Sequence, residues 1–105
     1  MLHFQGIDDT YTIFESGDAL TLSLGAQPLN PIQRAGGGWE LLKLRGVNSV
    51  QGNAADGKAT IAMMQFVGGP HRNGHFVVFD KPEPPRLIRR FLADLTKGEA
   101  PRLEP

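Results

Sequence analysis

Two histidines stand four residues apart in a glycine-rich segment, and histidine is the side chain that most readily exchanges protons near neutral pH. His71 and His75 lie in VGGPHRNGHFVVFD, residues 67–80. A metal site would combine the two imidazoles with a carboxylate such as Asp80. A catalytic site would use His75 as general base, with Asp80 or Asp56 orienting the ring. Because the glycines and the proline exclude a helix here, both histidines are also compatible with an ordinary hairpin that carries no site.

The residues around His75 resemble the closing segment of α/β-hydrolases, where a Gly-His pair, a Pro-Glu pair and a helix with Phe-Leu follow one another. The counterparts here are Gly74-His75, Pro82-Glu83 and Phe91-Leu92. The resemblance implies that His75 is the general base of a catalytic triad. That family carries its serine in a Gly-x-Ser-x-Gly turn. The nearest run in this chain, residues 21–25, has threonine in place of the first glycine.

Residues 59–80 are also similar to the histidine-bearing half of papain-like peptidases, where a central strand pairs with the strand that begins at the histidine. The nucleophile of that family is a cysteine, and this chain contains none. The similarity therefore implies a degenerate, non-catalytic relative.

Composition narrows the function classes. The 105 residues suit a single domain, and 40% hydrophobic content is typical of a globular chain. The charges of eleven basic and eleven acidic residues cancel, so we expect no nucleic-acid partner. No apolar run is long enough for a membrane helix. Zero cysteines exclude disulfides and thiolate sites and fit a cytoplasmic protein. No motif indicates a cofactor.

Strand signals predict most of the fold. Residues 10–14 and 19–24 are expected to pair as a hairpin, because Leu20, Leu22 and Leu24 alternate with polar residues. Residues 25–38 read as a long loop, 39–44 as a short strand, 59–67 as a central strand and 75–80 as its hairpin partner. Adjacent Asp8 and Asp9 are expected to face opposite ways, as neighbours on a strand do.

A helix is expected near the carboxyl terminus, since its apolar residues recur at helical spacing. These residues are Leu87, Ile88, Phe91, Leu92 and Leu95. Arg86, Arg89 and Arg90 fall elsewhere on the helix and could hold an acidic partner, although a solvated face is the alternative. Trp39, which follows three glycines, is either a binding anchor or a core residue.

The sequence therefore predicts one α+β domain over residues 1–105, with a mostly antiparallel sheet of four to five strands and one helix packed on it. Residues 1–6 are expected to be tag-derived or disordered, and residues 98–105 to form a frayed tail. The predicted function is a small, soluble, non-catalytic accessory domain that binds another protein or itself, because a small sheet leaves an edge strand open. Charge reversal at Arg89 and Arg90 would then weaken binding. The alternative is a hydrolase-like or metal site centred on His75 and His71.

Overall fold

A computed structural model describes residues 1–69 and 73–105 of the chain. In chain order it contains strand β1 (Leu2–Gly6), helix α1 (Phe14–Ser23), strands β2 (Gln27–Leu29) and β3 (Ala62–Phe66), a 3₁₀ turn (Gly74–Phe76), and helices α2 (Val77–Asp80) and α3 (Glu83–Thr96). The three strands form one sheet in the order β1-β3-β2, and both pairings are parallel. The architecture is α+β, but the predicted antiparallel sheet of four to five strands is wrong, because the segment between β1 and β2 is a helix.

Helix α1 occupies the place of the predicted hairpin. The residues that face the sheet are Phe14, Gly17, Asp18 and Thr21, which follow helical spacing. Leu20, by contrast, is exposed. The leucine alternation that indicated a strand is therefore not the pattern that determines burial, because most of the buried helix positions are glycine or polar residues.

Strand β3 is the centre of the sheet, as its apolar sequence predicts. All five of its residues are buried. Met64 joins a core with Leu29 of β2 and Leu87 of α3, whereas Met63 joins a second core with Trp39 on the opposite face. The sheet is thus covered on both faces, as is usual for parallel strands.

Two other predicted strands are turns or helix. Residues 39–44 form turns, with the Leu44 N–H donating to the Trp39 carbonyl at 2.8 Å, and Leu41 and Leu42 are exposed. Residues 75–80 begin in the 3₁₀ turn and continue as α2, because the Asn73 side chain accepts the His75 N–H and starts a helical turn. The predicted loop 25–38 contains strand β2.

Helix α3 agrees with the sequence prediction and carries its prolines in the first turn. Both chain ends contact other segments of the fold. Leu2–Gly6 form an edge strand paired with β3. Leu103 is fully buried and exchanges backbone hydrogen bonds with Val50. No helix within residues 1–69 and 73–105 has the length and apolar character needed to cross a membrane.

Candidate functional site

The loop that follows β1 fixes one carboxylate at the end of the strand. Asp9 Oδ1 accepts the backbone N–H groups of Tyr11 at 2.8 Å and Thr12 at 3.0 Å. This short-range pattern is typical of aspartate in a turn, where the side chain bonds the backbone two or three residues later. It holds the carboxylate in place and leaves Oδ2 directed elsewhere.

The segment that follows β3 brings His75 to the same end of the sheet. Asn73 accepts the His75 N–H at 3.0 Å, and its amide donates to Thr10 Oγ1 at 2.8 Å. Asp8 Oδ1 accepts the N–H of Gly68 at 2.8 Å. The loops after the two neighbouring strands are therefore tied together by side chains from both sides.

A close glycine contact sets the distance between these loops. A Cβ atom placed on Gly6 would lie 2.1 Å from the Gly74 carbonyl oxygen, which is far inside van der Waals contact. Only glycine at position 6 lets the backbone before His75 approach the end of β1 this closely.

His75 and Asp9 form the polar pair of the site. His75 Nδ1 lies 3.1 Å from Asp9 Oδ2, with the Asp9 side chain 10% exposed and the His75 side chain 45% exposed. Burial raises the pKa of Asp9, but the N–H groups of Thr12 and Tyr11 and the His75 ring together lower that pKa below its usual value. Asp9 is therefore a carboxylate at neutral pH, and it accepts a hydrogen bond from the ring.

Aromatic rings fix the orientation of the imidazole. The Tyr11 ring lies 4.9 Å from the His75 ring, and Phe76 meets it edge-on at 5.3 Å. Since Nδ1 faces Asp9, Nε2 is the ring atom that remains to exchange a proton with a ligand.

A cavity of about 250 Å³ opens beside this pair. It is bordered by β1 from His3 to Gly6, by Thr12 and Ile13 at the start of α1, and by Gly74 to Val78 with the exception of Phe76. The Asp9–His75 pair thus lies beyond the carboxyl ends of two adjacent parallel strands, and the cavity extends along β1 from it.

The structure places beside His75 a carboxylate that the sequence does not indicate. The sequence suggests Asp80 and Asp56 as partners of the ring, and in the structure Asp9 Oδ2 lies 3.1 Å from His75 Nδ1. Asp56 lies in the turn before β3, at positive φ, whereas His75 follows β3. His71, the other expected metal ligand, lies outside the described residues. Within residues 1–69 and 73–105, no three histidine, aspartate or glutamate residues are grouped for metal binding.

Trp39 is not an exposed anchor. Its side chain lies in the core with Met63, 3% exposed, and its Nε1–H donates to the buried Asp18 carboxylate. Indole nitrogen usually finds such a partner when it is buried. The core interpretation of Trp39 is therefore the correct one.

The three arginines of α3 are exposed. Arg90 donates from Nε to Asp94 at 3.1 Å, one helical turn later. Arg86 and Arg89 lie on the same exposed helix, so a binding role for this face stays a prediction.

The features that would complete a hydrolase site are placed elsewhere. Ser23, the serine of the nearest elbow-like run, is exposed at the end of α1, and its hydroxyl donates to the Leu20 carbonyl. The sequence does not indicate Asp9 as a site residue, because adjacent Asp8 and Asp9 are expected to face opposite ways on a strand. In the structure both lie in a loop beyond β1, and each bonds the segment after β3.

Comparisons with protein-family models, with curated proteins and with solved structures give no match for this chain.

Proposed function

We propose that Asp9 and His75 are the acid–base pair of a hydrolase-type site. The observation that carries the proposal is the hydrogen bond of 3.1 Å between His75 Nδ1 and Asp9 Oδ2 at the mouth of a cavity. A carboxylate on Nδ1 orients an imidazole so that Nε2 can accept a proton, and it stabilises the imidazolium that forms.

The position of the pair in the chain supports this assignment. In α/β-hydrolases the carboxylate precedes the histidine in the sequence, and Asp9 precedes His75 here. Gly74-His75, Pro82-Glu83 and Phe91-Leu92 add the resemblance to the closing segment of that family. In this proposal Asp9 takes the role that the sequence had given to Asp80.

The proposed reaction is general-base hydrolysis of an ester. Nε2 of His75 takes a proton from a water molecule as the water oxygen attacks the carbonyl carbon. The bond from that carbon to the alkoxide then breaks, and the proton passes from Nε2 to the alkoxide. Water is the nucleophile because no serine of a nucleophile elbow lies among the described residues bordering the cavity, so we expect slow turnover.

Hydrolysis of p-nitrophenyl acetate at pH 8 tests the proposal. His75→Ala should abolish the rate above buffer. Asp9→Asn should lower that rate by roughly 10- to 100-fold, which is at or below the lower end of the roughly 100- to 10,000-fold that general-base catalysis contributes, because the imidazole itself is retained. Glu99→Gln, a matched loss of one exposed carboxylate, should leave the rate unchanged. If His75→Ala, folded by circular dichroism, hydrolyses the ester as fast as the unmodified chain, the proposal is wrong.

A partner-binding domain is the second candidate. The observation that favours it is the open edge of β1, which has no strand beside it in the described residues. Exposed strand edges recruit other chains through main-chain hydrogen bonds. The exposed arginines of α3 remain the alternative binding surface, and charge reversal at Arg89 and Arg90 tests it by loss of association.

A further inference from the structure

One side of the cavity at the candidate site is formed by β1. The Ala62 N–H donates to the Met1 carbonyl, and the Ile7 N–H donates to the Phe66 carbonyl. In a parallel ladder, alternate residues bond the same neighbour. The odd-numbered residues of β1 therefore bond β3, and the N–H and C=O groups of the even-numbered residues point outward, away from β3.

Phe4 is the residue whose outward backbone groups are available in the cavity. Leu2 does not border the cavity, and the Gly74 backbone lies against Gly6. No residue within 1–69 and 73–105 bonds the outward N–H or C=O of Phe4. Backbone donors and acceptors away from bulk water require a partner, so the cavity offers one donor and one acceptor of a strand edge to its ligand.

The two walls of the cavity are apolar and lie on opposite faces of the sheet. Ile13, which is 58% exposed, borders the cavity at the start of α1, and Val77 and Val78 of α2 border it on the other side. Successive side chains of an extended chain point alternately to the two faces of a sheet. A strand placed beside β1 would therefore direct alternate side chains to the α1 wall and to the α2 wall.

We propose that the substrate of the Asp9–His75 site is an extended peptide, which adds to the sheet as a fourth strand beside β1. The Phe4 N–H donates to a carbonyl of the peptide, and the Phe4 carbonyl accepts an N–H from it. The assignment of this peptide as a substrate rests on the proposed hydrolase function, whereas its pairing with β1 does not.

The pattern of donors and walls selects a peptide as the ligand. Main-chain hydrogen bonds give affinity when a strand is added to a sheet edge, and contacts with alternate side chains give specificity. A small ester such as p-nitrophenyl acetate has a carbonyl but no N–H for the Phe4 carbonyl. The other edge of the sheet is closed, because Pro28 of β2 has no N–H and its carbonyl accepts the Val47 N–H at 3.0 Å.

The end of the open edge places the peptide at His75. A strand rises about 3.3 Å per residue, so a peptide residue opposite Gly6 would lie about 7 Å from the one opposite Phe4. The Gly74 backbone already occupies that place, so the peptide must leave the edge there. His75 follows Gly74 and borders the same cavity. The peptide carbonyl that lies beyond the paired residue is therefore the one that approaches Nε2.

Hydrogen exchange of the Phe4 amide tests the pairing in the unmodified protein. The probe is the blocked peptide acetyl-Ala-Val-Ala-Val-Ala-amide. At about 90% saturation, the Phe4 amide should exchange roughly tenfold more slowly, because exchange then takes place from the free fraction. The His3 amide, which faces β3, is an internal control whose rate should not change. The same peptide with N-methyl groups on its three central residues cannot pair as a strand and should not protect Phe4.

A variant of the α1 wall tests the apolar contact. Ile13 is the N-cap residue of α1, a position that favours asparagine, so Ile13→Asn should keep the helix. The loss of apolar surface should raise the dissociation constant of the peptide roughly 3- to 10-fold. Leu20→Asn, a matched change at an exposed position of α1 that does not border the cavity, should leave the dissociation constant unchanged.

Competition with p-nitrophenyl acetate links the pairing to the site. The blocked peptide should inhibit the hydrolysis that depends on His75, and its N-methylated form should not. An unchanged exchange rate of the Phe4 amide at millimolar peptide overturns the inference and leaves the hydrolase proposal standing. Protection of Phe4 without hydrolysis that depends on His75 supports the pairing and overturns the hydrolase proposal. Protection of Phe4 together with hydrolysis that the peptide does not inhibit overturns the assignment of the peptide as substrate.

Discussion

Replacing Asp9 with asparagine should reverse the tautomer of His75. In the native pair, the carboxylate oxygen Oδ2 is only an acceptor, so the neutral ring must carry its proton on Nδ1. An asparagine can keep its Oδ1 contacts with the Tyr11 and Thr12 N–H groups while it presents an NH₂ donor to the ring. Nδ1 then becomes the acceptor, and the proton moves to Nε2, where it blocks the general base.

The size of the effect follows from the geometry. A hydrogen bond to a charged group contributes about 1.5–3 kcal/mol when it is well shielded from water. The His75 side chain is 45% exposed and Asp9 is 10% exposed, so solvent screening reduces the contribution to about 1 kcal/mol. That energy is a factor of about five, by which the bond to Asp9 raises the ratio of the Nδ1–H to the Nε2–H tautomer in the neutral ring.

Long-range ¹H–¹⁵N correlation spectra of the imidazole, recorded where the ring is neutral, measure the tautomer directly. We expect Nδ1 to be protonated in the unmodified chain and Nε2 in Asp9→Asn. Asp8→Asn is the matched control, because Asp8 bonds the Gly68 N–H and does not face the ring. The same tautomer in the native chain and in Asp9→Asn would refute the proposed orientation of His75.

Three further perturbations test the packing around the site. Trp39→Phe should lower the free energy of unfolding in urea by about 2–4 kcal/mol, because Asp18 loses its buried donor. Asp18→Asn keeps an acceptor for the indole N–H, so it should lower the free energy of unfolding by less. Gly6→Ala should lower the free energy of unfolding by about 1–3 kcal/mol and slow ester hydrolysis, since its Cβ would lie 2.1 Å from the Gly74 carbonyl oxygen. An unchanged free energy of unfolding would mean that the backbone contact between positions 6 and 74 is loose. Burial lowers the pKa of His3, so the unfolded chain binds the proton more readily and stability should fall as the pH drops below about 6.5. His3→Gln should flatten that slope in urea midpoints, and an equal slope would contradict it.

Two elements, the central strand β3 and helix α3, could be predicted from sequence. The apolar run that contains β3 is buried on both faces, and its position in the middle of the sheet follows from that. In α3 the predicted apolar stripe is only partly buried, because Leu87 is buried whereas Leu92 and Leu95 are exposed.

Helix α1 could not be predicted in this way, because its sheet-facing side is largely not apolar. Gly17 lies against Gln5 of β1, where a Cβ would meet the amide nitrogen at 2.7 Å, and Gln5 donates to the Phe14 carbonyl at 3.0 Å. Asp18 and Thr21 are buried through hydrogen bonds. Hydrophobic periodicity does not detect a helix face that packs through a glycine and satisfied polar groups.

The incorrect prediction of a hairpin where the structure has α1 also explains why the site could not be predicted. If residues 10–24 formed a hairpin, consecutive strands would run antiparallel, and the loops after β1 and β3 would have no reason to share one end of the sheet. Because α1 connects β1 to β2 and residues 30–61 return the chain to the amino end of the sheet, all three strands run parallel. The carboxyl ends of β1 and β3 therefore bring together Asp9 and His75, 66 residues apart in the chain. Asp56 lies before β3, where Asn53 bonds both backbone groups of Ile61, at the amino end of that strand. The direction of one strand therefore decides which carboxylate His75 meets, and residue types alone do not specify that direction.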